Sequence, residues 1–148
     1  MEILRTPEDR FDDLPDFPWQ PQYVDVNGMR MAYIDEGEGQ TVLCLHGEPS
    51  WGYLYRKMIP VFLAAGMRVV APDWLGFGRS DKPVADADYT WDFHHSSMLH
   101  FVDALGLRDV TLVVQDWGGV LGLPLPVSHP DLVSRLLIMN TRLGVGCR

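Results

Sequence analysis

Residues Thr111–Gly119 read T-L-V-V-Q-D-W-G-G, and their types and order could do covalent chemistry. Thr111–Val114 is the β-branched, apolar run that a strand buried on both faces of a parallel sheet carries. It stops at the polar pair Gln115–Asp116, and Gly118–Gly119 open a helix. A strand, a sharp turn and a helix, with a reactive side chain at the apex, form a nucleophile elbow. Val114 stands where the usual motif has its first Gly, and Asp116 where it has Ser.

That exchange decides the chemistry. A serine needs a base to deprotonate it and suits attack on an acyl carbon. A carboxylate is already charged at neutral pH. Its attack on an ester would give only a labile anhydride, whereas it can displace a leaving group from an sp3 carbon and leave an alkyl ester. The apex backbone of such a turn is strained towards positive φ, which Asp tolerates better than most residues. The glycines after it let the helix approach the strand. Asp after a strand is elsewhere most often a helix N-cap; the elbow context favours the nucleophile.

The elements that must position this turn are readable along the chain. Residues 1–21 form a Pro-rich, acidic arm without periodicity, packed by Phe11, Phe17 and Trp19. Tyr23–Val26 and Arg30–Asp35 flank Asn27–Gly28, a strong two-residue hairpin signal. Thr41–Leu45 is a short buried strand, followed by the loop His46–Pro49. Ser50 is the expected N-cap of a helix ending near Gly66 and divided by Pro60. Arg68–Ala71 is a further strand, Pro72–Pro83 a long loop, and Thr90–Leu105 a helix stopped by Gly106. Val110–Val114, a helix over Gly118–Ser128 and a strand over Val133–Met139 complete the pattern, with Pro124 and Pro126 set against a regular helix beyond Leu123. Strands alternating with helices predict a mostly parallel sheet with helices on both faces. Residues 22–142 are read as that core and 143–148 as an irregular tail.

Composition sets the class. The 148 residues are 47% hydrophobic and 22% charged, as in a soluble globular domain. A net charge of −8 argues against nucleic acid and anionic membrane surfaces. No apolar run is long enough to span a bilayer, and the N-terminus lacks a signal-peptide pattern. Cys44 and Cys147 read as free thiols, which points to the cytoplasm. Gly76–Ser80 lacks the spacing of a phosphate loop and reads as a structural loop. His94–His95 are adjacent helical residues that point apart, so no metal site and no cofactor are expected. Nothing in the residues specifies an oligomeric state.

H-G-E-P-S-W at His46–Trp51, D-W-L-G-F-G-R-S-D-K-P at Asp73–Pro83 and V-V-Q-D-W-G-G at Val113–Gly119, in this order, resemble the haloalkane dehalogenases of the α/β-hydrolase fold. The likeness is greatest to the subfamily whose first motif is H-G-E-P. Epoxide hydrolases share H-G-x-P and often D-W-G-G, but usually carry His where this chain has Gln115. The resemblance implies that Asp116 attacks the halogen-bearing carbon of a small halogenated hydrocarbon in line and that Trp117 offers its indole N–H to the departing halide. It implies that the backbone N–H groups of Glu48 and Trp117 form the oxyanion hole for hydrolysis of the ester by water, and that Pro49 is cis. The Glu48 side chain would help to order that water. His46 reads as a loop-ordering residue.

The departure from the family lies downstream. A hydrolase of this fold needs a His base after the nucleophile. Of the five His, only His129 follows Asp116, thirteen residues on, which is roughly 20 Å along a helix. Asn140 stands where sister subfamilies place the triad acid. The resemblance therefore implies an N-terminal portion, truncated before the cap and the last strands, that is alkylated without turnover. The rival readings are an epoxide-hydrolase-like Asp-nucleophile hydrolase and a non-catalytic α/β module that binds a partner through its apolar edge strand.

Overall fold

The structure is a computed structural model that describes residues 2–142; the tail expected over 143–148, with Cys147, lies outside the described residues. A two-residue strand, β1 (Ile3–Leu4), precedes the hairpin of β2 (Gln22–Val26) and β3 (Met29–Glu36). Asn27 and Gly28 turn that hairpin with φ of 54° and 78°, the positive values that a two-residue turn of this twist demands. Then come β4 (Thr41–Leu45), α1 (Ile59–Ala64), β5 (Arg68–Pro72), β6 (Lys82–Pro83), α2 (Trp91–Ala104), β7 (Val110–Gln115), α3 (Trp117–Gly122), α4 (Leu125–Ser128) and β8 (Val133–Met139).

Six strands make one sheet in the order β2-β3-β5-β4-β7-β8. β5, β4, β7 and β8 run parallel, and the hairpin is added antiparallel at one side. Alternate residues of each strand supply two cores, as the two-residue period requires. Leu43, Leu45, Val70, Leu112 and Val114 pack on one face with Met98, Phe101 and Val102 of α2 and Leu121 of α3. Val42, Cys44, Val69, Ala71 and Val113 pack on the other with Tyr55, Ile59 and Phe17. The mostly parallel sheet with helices on both faces is thus present, and it brings the ends of β4 and β7 side by side.

Two local expectations are corrected. Ser50 is not an N-cap: its hydroxyl donates to the Gly47 carbonyl at 2.9 Å, and a 3-10 helix over Gly52–Lys57 follows. Asp73 explains that turn, because its Oδ1 takes the Gly52 N–H at 2.7 Å across the sheet end. Pro60 does divide the expected helix: the 3-10 helix ends at Lys57 and Pro60 sits in the first turn of α1, where a missing N–H costs nothing. The helix expected over Gly118–Ser128 is two short helices, broken at Leu123–Pro124, where the prolines remove donors. The arm contributes β1, paired with β6. It also contributes Phe17, whose ring meets the edges of Trp19, Trp51 and Tyr53 at 5.3–5.4 Å. α2 begins as expected, with the Thr90 hydroxyl accepting from Phe93 N–H at 3.1 Å.

The loop after β5 is a structural knot. Asp73 is buried and also accepts from Arg79 N–H at 2.9 Å; Ser80 Oγ donates to the Asp73 carbonyl at 2.7 Å and accepts from Ala32 N–H at 2.8 Å. Burial pushes the Asp73 carboxyl up to about 6, against the pull of its two backbone donors. His46, fully buried at the end of β4, ties this loop to its own. Its Nε2 accepts from Trp74 N–H at 3.0 Å, its Nδ1 donates to the Gly47 carbonyl at 2.9 Å, and the Trp74 indole donates back to the His46 carbonyl at 2.9 Å. One nitrogen is an acceptor, so the ring is neutral, and burial lowers its pKa to about 4.

The knot makes stability depend on pH in two opposing ways. Unfolded, His46 takes up a proton near pH 6.5; folded, it does so near 4, so its contribution to stability is lost as pH falls through that window. Asp73 acts in the opposite sense, its contribution being present at low pH and lost as pH rises through about 6. Ring 15N resonances separate the two: His46 should remain the neutral Nδ1–H tautomer at pH 6, and titration at 6.5 or above would contradict the knot. On β8, Leu136, Leu137 and Ile138 are 52, 40 and 45% exposed on an edge strand of the described sheet. Leu137→Lys should reduce concentration-dependent light scattering, as charge on an open edge does; unchanged scattering would place the association elsewhere.

Candidate active site

β7 ends at Gln115, and the chain reverses at Asp116 with φ 53° and ψ −126° before entering α3. This is a costly backbone state, on the order of 1–3 kcal/mol, and the contacts of the residue hold it in place. Asp116 N–H donates to the Asn140 carbonyl at 3.1 Å. Its carbonyl accepts from Gly119 N–H at 2.9 Å and from Thr141 Oγ1 at 2.6 Å. The side chain does not cap α3. Its Oδ1 instead accepts from the backbone N–H of Glu48 at 3.0 Å, across from the loop after β4. Oδ2 accepts from no described residue.

Three absent side chains make this approach possible. A Cβ on Gly47 would overlap the Asp116 carboxylate. One on Gly118 would overlap the Leu45 and His46 carbonyls, and one on Gly119 the Thr141 side chain. Glycine is therefore required where the two strand ends and α3 meet. The Glu48–Pro49 peptide is cis, as the resemblance implied.

Trp117 is not core: it is 49% exposed, and neither its indole N–H nor its backbone N–H has a partner among the described residues. It lines a cavity of about 570 Å³ together with Asp116, Val120, Asn140, Thr141 and Arg142. The Asp116 carboxylate thus lies on the Glu48 amide, Asp116 and Trp117 line one opening, and Glu48 and Trp117 line a second. Sequence reasoning missed Asn140 and Thr141 as the brace of the bend. Their signal was their place at the end of the strand parallel to β7. It also missed a second cavity, of about 460 Å³, that Trp117 shares with Trp74, Phe77, Tyr89 and Trp91.

His94 lines the second cavity with Trp117, its Nδ1 buried and without a partner among the described residues. His129 follows α4 and donates to Asp103 at 2.9 Å, and both nitrogens of His46 are used within its loop. Among the described residues, no cluster of three or more His, Cys, Asp or Glu is arranged to hold a metal. Among them, too, no helix is long and apolar enough to cross a membrane.

Comparison with known proteins agrees with this architecture. The family model of the α/β hydrolase fold matches residues 40–145. A haloalkane dehalogenase of Psychrobacter cryohalolentis is 50% identical over 99% of this chain and 50% of its own length. The solved haloalkane dehalogenase DpaA of Paraglaciecola agarilytica, a tetramer, superposes with a TM-score of 0.95 at 55% identity, over 99% of this chain and 51% of that one. An epoxide hydrolase of Vigna radiata superposes at 0.75 and 33% identity, over 81% of this chain and 39% of its own. The chain spans about half the length of the curated relatives it matches. By its sheet order, its strand–turn–helix apex and the family match, it belongs to the α/β-hydrolase fold family, and over nearly its whole length it is similar to haloalkane dehalogenases.

Proposed function

We propose that this chain carries the nucleophilic half-reaction of a haloalkane dehalogenase, with Asp116 as nucleophile. The observation that carries the reading is the Asp116 carboxylate held on the Glu48 amide at 3.0 Å and not capping α3, on a residue that lines a cavity. Because Oδ1 is taken by that donor, Oδ2 is the attacking oxygen. Oδ2 forms a bond to the halogen-bearing carbon of a small halogenated hydrocarbon as the carbon–halogen bond breaks, and the halide leaves with the bonding pair. The Trp117 indole N–H, free of acceptors among the described residues, meets that anion as a donor with nothing to accept.

The product is an alkyl ester whose carbonyl oxygen is Oδ1. Attack of water on the ester carbon would place negative charge on Oδ1, already beside the Glu48 N–H, with the Trp117 backbone N–H as second donor. The Glu48 carboxylate, exposed beside this point, would help to order that water. That water must lose a proton, and neither His46 nor His129 is available to take it. On this reading the ester outlives the first step unless another group takes that proton. Epoxide hydrolases share the fold and an aspartate nucleophile, but the exposed Trp117 next to Asp116 favours the dehalogenase reading, as does the higher identity to DpaA. Cys44, free and buried with its thiol pKa pushed up by burial, supports the cytoplasm as its location.

Incubation with 1,2-dibromoethane followed by intact-mass measurement tests this. One bromoethyl group should add to the wild-type chain, map to Asp116, and be absent from Asp116→Asn. Trp117→Phe should slow the adduct by roughly 100-fold, the order of loss when one stabilising donor is removed. Continuous bromide release by the chain alone, or an equal adduct on Asp116→Asn, would refute the assignment.

A further inference from the structure

The nucleophile's cavity holds more hydrogen-bond donors than the half-reaction uses. It is lined by Asp116, Trp117, Val120, Asn140, Thr141 and Arg142 around about 570 Å³, within the range of small-molecule sites. Displacement at Asp116 Oδ2 needs the carboxylate and one donor for the departing halide, and Trp117 supplies that donor. The Thr141 hydroxyl is spent on the Asp116 carbonyl at 2.6 Å. Asn140 gives its backbone carbonyl to the Asp116 N–H, and its side-chain amide has no partner among the described residues. Arg142 adds a guanidinium. The displacement calls on neither of these last two groups.

Arg142 does not neutralise the nucleophile. It shares the opening with Asp116, yet among the described residues no ion pair joins it to Asp116 or to Glu48. A guanidinium stays charged at neutral pH, and its planar fork of N–H groups matches a carboxylate with two parallel bonds. Its backbone follows directly on Thr141, which is tied to the bend, while its side chain is exposed. The chain as a whole carries a charge of −8, so its long-range field repels anions. An anion held at Arg142 is therefore held by pairing at close range, and one negative charge meets less opposition there than two.

We propose that this cavity takes a halogenated hydrocarbon chain whose far end is a carboxylate, with Arg142 and the Asn140 amide holding that end while the halogen-bearing carbon lies at Asp116. This names a substrate class for the reaction proposed above and rests on that reading for its chemistry, but not for carboxylate binding. In the step, Oδ2 bonds to the terminal carbon as the carbon–halogen bond breaks, and the halide leaves with the bonding pair. The substrate's own carboxylate passes unchanged into the ester. Arg142 is thus a specificity-determining residue, and the span from its guanidinium to the bend selects the chain length.

Two measurements on the 148-residue chain test this. Alkylation is followed by intact mass with 6-bromohexanoate and with its methyl ester, a neutral molecule bearing the same halogen. The acid should react at least fivefold faster than the ester in the wild type, equally or more slowly in Arg142→Ala, and more slowly still in Arg142→Glu. A ratio that is the same in the wild type and both variants would overturn the proposal while leaving Asp116 as nucleophile. Binding is followed separately through the Trp117 indole N–H resonance with unreactive acids from propanoate to hexanoate, and with 1-hexanol. One of the acids should bind at least fivefold more tightly than 1-hexanol, and Arg142→Ala should abolish that preference. An absent preference, or one that survives in Arg142→Ala, would overturn the carboxylate site. A preference lost in Arg142→Ala, in a chain that no bromide alkylates, would uphold the site and remove the proposed nucleophile.

Discussion

Everything about this site depends on one hydrogen bond between two loops, from the Glu48 amide to Asp116 Oδ1. It joins the end of β4 to the end of β7, and it does so with a charged acceptor, so it is stronger than a neutral bond of the same length. It also fixes which carboxylate oxygen is free. The bond forms only because Gly47 brings no side chain to the place where the carboxylate lies. The loop bearing Glu48 is in turn held by His46 and Trp74, and Trp74 belongs to the knot built on Asp73 and Ser80. A hydrogen-bond chain thus runs from the hairpin strand β3, at Ala32, to Asp116 Oδ1, and leaves Oδ2 outside it.

Much of this was legible because the determinants are local. Thr41–Leu45 and Val133–Met139 are strands with the bounds read from their β-branched, apolar runs. The helix after Thr90 starts and stops where an N-cap hydroxyl and Gly106 place it. Asp116 was legible because an acidic residue wedged between a buried strand and a Gly-Gly pair marks a tight, exposed bend. The 3-10 turn after Trp51 was not, since Asp73, twenty-one residues beyond Gly52, decides it. β1 and β6 are two residues each, too short to carry a period. The second cavity draws on four separate segments, so no spacing along the chain groups its walls.

The two cavities differ in kind, and the difference tracks the elements that build them. The opening at Asp116 is framed by turns, with backbone and polar side chains from Asn140, Thr141 and Arg142. The second cavity is framed largely by ring faces, with the Trp117 indole N–H and the buried His94 Nδ1 without partners among the described residues. Trp117, with ring surface and a single donor, has the amphipathic character that a residue between them requires.

The bend at residue 116 sets resilience and reactivity against each other. Its positive-φ geometry is one that glycine adopts without penalty, so a Gly there would relieve part of the backbone cost and firm up the fold. A screen that rewarded only resistance to heat would therefore favour the very exchange that deletes the carboxylate.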